Sequence, residues 1–202
     1  MALLVIVGLM GFGTGLVAYS GQVTTTTRSI TLTNVATSTQ QITSYRTTTS
    51  MIQQLGAAGL VEYAFSPGGN CAGVVVKWIG KANNTIHILV YNFTLAGIRD
   101  ALIQAKNRGV EVKIVMEREG ATTPGSEYMN LKNAGLDVRL DTNPRTMNDN
   151  VAVIDGRIVI TGSFTWSRAA NEENNENLVV LDNQAWASAY EAQFQQIYML
   201  AT

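Results

Sequence analysis

Cysteine and histidine are almost missing from this chain. The only cysteine is Cys71, which excludes an intrachain disulfide and any multi-cysteine zinc site. The only histidine is His87, which excludes His-rich metal clusters and any mechanism that needs two histidines from one chain. Charge is scarce as well. The net charge is −1, so no bulk basic field draws nucleic acid or an anionic membrane to the surface. Ahead of Glu62 only Arg28 and Arg46 are charged; all fifteen acidic residues and the other twelve basic ones lie from Glu62 onward. That split separates an N-terminal region of non-globular composition from a folded domain.

Three segments follow from it: 1–21, 22–60 and 61–202. Residues 2–19 carry no charge and no polar face, and are about long enough to cross a bilayer as a helix. No basic stretch precedes them, and Val17-Ala18-Tyr19-Ser20-Gly21 makes a poor cleavage site, so an uncleaved membrane anchor is expected ahead of a signal peptide. Residues 22–60 are rich in threonine and serine and cannot bury a core, which fits an exposed stalk. With the Asn-X-Thr sequons at Asn83 and Asn92, anchor and stalk imply a domain outside the cytoplasm.

From residue 61 the pattern alternates between helix and strand. The spacing predicts helices over 71–82, 95–108, 127–133 and 183–199, with Thr94 as a cap and Gly109 and Gly135 as stops. Strands are expected over 86–91, 110–116, 136–140 and 177–181. Asp155-Gly156 lies between the apolar runs 151–154 and 157–161, a strong hairpin signal because both residues tolerate positive φ. Strands separated by helices imply an α/β fold with a mixed, mostly parallel sheet covered on both faces. Trp166 and Trp186 are expected as core anchors, Cys71 as a buried thiol, and His87 as a structural residue under a helix or on a solvent face.

Several segments resemble the phospholipase D superfamily: Phe65-Ser66-Pro67, Ile86 to Thr94, Ala105 to Val115, Val151 to Gly156, Thr161 to Trp166 and Asn175 to Val180. The likeness is nearest to its small, single-motif bacterial endonucleases and covers nearly all of 61–202. It implies a homodimer in which two chains build one shared site, with nucleic-acid phosphodiesters (DNA or RNA) as substrate and no metal or cofactor. The superfamily signature is His-x-Lys-x4-Asp followed by Gly-Ser-x-Asn. On this sequence the histidine position is Asn148, the lysine position Asn150 and the aspartate Asp155. Gly162 and Ser163 match, the asparagine position is Thr165, and Glu176 matches an acidic residue that supports the histidine.

The departures fall on the chemistry. In the superfamily one histidine attacks phosphorus, a second from the partner chain protonates the leaving group, and the lysines stabilise the phosphoryl charge. A carboxamide is neither nucleophilic nor titratable, and it carries no charge. The chain as written is therefore expected to be catalytically silent, either as a natural pseudoenzyme or as an inactivated nuclease. A different class of reading is a surface or filament-forming structural protein that uses the domain as a head on its stalk. A third is nucleic-acid binding without cleavage, through Arg118, Arg139, Arg145 and Arg168 if they converge on one groove.

Overall fold

The computed structural model describes residues 59–202. The expected anchor at 2–19 and all of the stalk up to residue 58 lie outside the described residues. Among those described, no helix is long and apolar enough to cross a membrane. The strands are β1 (Leu60–Ser66), β2 (Thr85–Val90), β3 (Glu111–Met116), β4 (Asp137–Leu140), β5 (Asn150–Ile154), β6 (Ile158–Thr161) and β7 (Glu176–Asp182). The helices are α1 (Cys71–Lys81), α2 (Ala96–Asn107), α3 (Arg118–Thr122), α4 (Tyr128–Asn133), α5 (Arg168–Glu172) and α6 (Gln184–Leu200).

One sheet holds all seven strands in the order β1-β7-β6-β5-β2-β3-β4. It is mixed, but the expectation of a mostly parallel sheet fails. Only β2–β3 and β3–β4 are parallel; β1–β7, β2–β5, β5–β6 and β6–β7 are antiparallel. The α2 crossover returns the chain parallel from β2 to β3, whereas the tight connection Asp155–Arg157 reverses β5 into β6.

The central strands are apolar on both faces because both faces are covered. Ile86, Ile88, Ile114, Ala152 and Ile160 belong to the main core with Val75 and Ile79 of α1 and Ile98 and Leu102 of α2. The alternate residues Leu89 and Val115 pack with Phe194, and Val151, Val153 and Val159 with Ala187, both on α6. His87 lies under α6 as well. Its Nδ1 is 2.8 Å from Glu191, and its ring stacks on Phe194 at 4.6 Å. Cys71 is fully buried, and burial pushes its thiol up. Trp166 is a core residue, but Trp186 is half exposed. It projects from the solvent side of α6, while its neighbour Ala187 packs on the sheet, so the expected second anchor is not one.

The turns are set by local chemistry. Asn70 enters the left-handed region and its side chain accepts the Gly73 N–H, capping α1. Thr94 does not cap α2; its Oγ1 accepts the backbone N–H of Arg168 at 3.0 Å, and α2 starts at Leu95 without a side-chain cap. Asp155 and Gly156 both have positive φ, as the centre of a type I′ turn requires, and Arg157 completes a three-residue connection in which Ile154 faces Ile158. The Asp155 carboxylate also accepts the backbone N–H groups of Asn83, Asn84 and Thr85 at 3.0, 2.8 and 2.9 Å. Burial works to raise this carboxyl, but the three backbone donors together hold it below the usual carboxylate range.

Replacing Asp155 with alanine is expected to cost about 2 kcal/mol, the scale of hydrogen bonds to a charged group. Because the folded-state carboxyl is depressed, its stabilisation is complete above the unfolded value near about 4 and is lost as pH falls through the folded value. Urea unfolding of wild type and variant should therefore differ at neutral pH and converge in strong acid.

Candidate functional site

Along one edge of the sheet the carboxyl ends of β2, β3 and β4 meet the open end of the β5–β6 hairpin. Val90 lies opposite both Met116 and Asn150, Val151 opposite Thr161, and Glu176 opposite Ser66. Asn148, Asn150, Ser163 and Glu176 all belong to this edge. Asp155 does not. It sits at the far end of β5, where it fastens the turn to the loop before β2. The signature groups it with Asn148 and Asn150, but the fold sets it at the other end of β5.

Asn150 is buried. Its Oδ1 accepts the Tyr91 N–H at 3.4 Å, and its Nδ2 donates to the Asn148 carbonyl at 3.4 Å. Asn148 is exposed beside it. Neighbouring Asp149 is partly buried. Burial pushes its carboxyl up against a hydrogen bond from Gln193, and the Asp141 charge adds to the rise.

A second polar group forms where β6 leaves the sheet. The Ser163 hydroxyl donates to Glu176 and accepts from Asn177, from the backbone N–H at 3.1 Å and from Nδ2 at 3.2 Å. Asn174 donates to the other Glu176 oxygen at 3.2 Å. Glycine is required at 162, because a Cβ there would meet the Asn177 carbonyl at 2.2 Å. Thr165 is turned away from this group. Its hydroxyl pairs with that of Ser167 at 3.0 Å, and Ser167 caps α5 through the Ala170 N–H. Glu176 makes no hydrogen bond to Asn148; β5 and β7 are two strand positions apart, roughly 10 Å.

The loops are pinned from both sides. Phe93 and Trp166 form a bridge with their rings edge to face at 5.4 Å. The Trp166 carbonyl accepts from Thr94 and Leu95 at 2.9 and 3.2 Å. Glu117, buried after β3, accepts the Met147 N–H at 2.7 Å and so ties down the approach to Asn148. Sequence reasoning missed Glu117 and the buried Asp141, whose Oδ2 has no hydrogen-bond partner. The available signal was position: each is an acidic residue directly after the last residue of a strand. Among the described residues no group of three or more His, Cys, Asp or Glu side chains is arranged to hold a metal ion.

This edge can hold and orient an anion. It presents carboxamides, a hydroxyl–carboxylate pair and nearby arginines, but at 148 and 150 it has neither an imidazole nor an ammonium.

Comparison with known proteins agrees with the geometry. The family model described as "Cardiolipin synthase, PLD-like domain" matches residues 75–198. The mitochondrial cardiolipin hydrolase of Chlamydomonas reinhardtii is 33% identical over 137 residues, covering 68% of this chain and 60% of that protein. A phospholipase D of Rickettsia typhi is 35% identical over 130 residues, 64% of each chain. The chain thus spans less than two thirds of the length of these curated relatives. Among solved structures, the phospholipase D family member Nuc from Salmonella typhimurium superposes with a TM-score of 0.66 at 33% identity, over 70% of this chain and 95% of that one. NucT from Helicobacter pylori gives 0.62 at 25% identity, over 70% and 99%. Matching in family model, sequence and fold across the residues that build this edge, the chain belongs to the phospholipase D-like family.

Proposed function

We propose that this chain is a phosphodiester-binding member of the family, from a nuclease-type phosphodiesterase lineage, that does not hydrolyse its ligand. The observation carrying this reading is the pair Asn148 and Asn150. The resemblance assigns them the family's histidine and lysine positions, and they stand close together at the sheet edge, the Asn150 carboxamide bonded to the Tyr91 N–H and the Asn148 carbonyl. A carboxamide at 148 cannot attack phosphorus or hand a proton to a leaving group. One at 150 can donate a hydrogen bond but cannot neutralise phosphoryl charge. Ser163 and Glu176 remain paired beside them. Small size and a single motif favour a nucleic-acid over a lipid substrate. The same reading has the chain tethered to a membrane through residues 2–19, with the domain on the extracytoplasmic side of a Thr-rich stalk, and two copies sharing one site.

Restoring Asn148→His together with Asn150→Lys should return metal-independent cleavage of a chromogenic phosphodiester, about a thousandfold or more above the wild-type background. Continued silence of a folded double variant would overturn the claim that the rest of the pocket is preserved.

A second reading is a head domain in a larger assembly. It is favoured by edge strand β1, which exposes Val61, Tyr63 and Phe65 in alternation, each at least half accessible. An open apolar edge of this kind is a template for association. Electron microscopy and sizing of the native protein should show an extended polymer if this reading holds, and a closed dimer sinks it.

A further inference from the structure

Two asparagines carry the sequence of an N-glycan acceptor, Asn83 in Asn83-Asn84-Thr85 and Asn92 in Asn92-Phe93-Thr94. Such a motif has meaning only on a surface loop, because the acceptor amide must stay clear of the folded domain once it carries a sugar. The fold gives the two asparagines opposite surroundings.

Asn83 and Asn84 are exposed, and Thr85 is half-buried at the start of β2. Together they connect α1 to β2. The backbone of this connection is fixed from inside, since the Asp155 carboxylate accepts the N–H groups of all three residues at 3.0, 2.8 and 2.9 Å. The Asn83 side chain is left at the surface. Its Nδ2 donates to the Lys81 carbonyl at 3.0 Å, and the same side chain helps hold the Asp155 carboxyl down. A primary amide has two N–H donors and a glycosylated one keeps a single N–H, so one such bond survives the modification. No core residue has to move to admit a sugar.

Asn92 is partly buried, and its Oδ1 is enclosed without a hydrogen-bond partner. Phe93 beside it is fully buried and bridges to Trp166. The Thr94 hydroxyl is engaged by the Arg168 N–H. Helix α3 presses on the same stretch, so closely that a Cβ on Gly120 would run into the Tyr91 carbonyl. A glycan on Asn92 has to share space with α3 and with the Phe93–Trp166 clasp. The two asparagines also lie at opposite ends of β2, a strand of six residues and so roughly 20 Å long. Asn92 is at the edge that carries Asn150, and Asn83 is at the far end beside the Asp155–Gly156 turn.

We propose that Asn83 is a site of N-linked glycosylation and that Asn92 is not. This rests on the proposed extracytoplasmic placement of the domain and adds a covalent modification to it. The co-substrate is an oligosaccharide carried on a polyprenyl phosphate or diphosphate, and a membrane transferase joins the two. Nδ2 of Asn83 forms a bond to C1 of the sugar. The bond from C1 to the donor's phosphate oxygen breaks, the lipid phosphate leaves with the electron pair, and Nδ2 gives up one proton. The product amide is uncharged, so the Asp155 carboxylate gains no new charged neighbour. The glycan covers the hairpin turn and leaves the edge with Asn148 and Asn150 open.

The test produces the full chain in a host whose secretory membrane carries an oligosaccharyltransferase. A further acceptor sequence, placed on a flexible spacer after Thr202, reports translocation. Peptide N-glycosidase turns each glycosylated asparagine into aspartate, and peptide mass spectrometry reads the sites separately. Conversion is expected at Asn83 and at the reporter, and none at Asn92. Asn83→Gln and Thr85→Ala should each abolish the modification at this loop, whereas Thr85→Ser, which keeps the acceptor sequence, should retain it. Asn92→Gln should leave the glycan pattern unchanged. Circular dichroism of Asn83→Gln should match wild type, because the lost side chain is exposed and fills no core space. A modified reporter beside an unmodified Asn83 overturns the inference and leaves the extracytoplasmic placement standing. An unmodified reporter overturns both. A glycan on Asn92 of the folded, secreted chain overturns the distinction between the two loops.

Discussion

The hairpin β5–β6 is fastened to β2 at both of its ends, and the rest of the molecule depends on that attachment. At the turn, the Asp155 carboxylate gathers the three backbone N–H groups that lead into β2. At the open end, Trp166 and its carbonyl clasp Phe93, Thr94 and Leu95, which leave β2. Between the clasps, β5 pairs antiparallel with β2 from Ile86 to Val90. The hairpin thereby becomes the centre of the sheet, and its first residue, Asn150, is delivered to the carboxyl edge of the parallel strands. A single-residue slip of β5 would exchange its two buried faces, and the tether at Asp155 opposes such a slip.

That edge collects what the interior cannot accommodate. Glu117 and Asp141 directly follow β3 and β4, and both are buried. Glu117 is used to hold the loop that precedes Asn148. Ser163, Glu176 and Asn177 form a closed hydrogen-bonded set on the other side of the hairpin. Arg118, Arg145 and Arg168 emerge from segments at the same rim; among the described residues Arg118 donates only to the Asp141 carbonyl. Polar side chains gather on this edge, and the two positions where the resemblance puts the family's histidine and lysine carry carboxamides. Silent chemistry in a preserved binding edge is the arrangement proposed here.

Much of the fold is legible from the sequence because its signals are local. The Asp155-Gly156 turn, the apolar runs on either side of it and the left-handed Gly109 after α2 are all read from a few neighbouring residues. Strand direction is less legible. Periodicity reports burial, not the partner, so β1 was not identified as a strand and its pairing with β7 across the chain was invisible. Thr94 looked like a helix cap because it precedes apolar periodicity, yet its hydroxyl serves Arg168 in a loop more than seventy residues away. Trp186 looked like core from its helical spacing, but it projects from the solvent side of α6, whose neighbouring Ala187 takes the contact with the sheet. Motif spacing pointed to Asn148, Asn150, Ser163 and Asp155; the fold brings the first three to one edge and Asp155 to the other end of β5, since residues of one motif need not share one end of a hairpin.

The central claim is that a phosphodiester held at this edge meets no nucleophile. It is tested most directly by incubating the purified wild-type chain with a chromogenic phosphodiester in the presence of a chelator. The account predicts no turnover above the buffer background at any pH between 5 and 9, a range of about four units that spans imidazole titration. Steady, protein-dependent hydrolysis that survives further purification would contradict it.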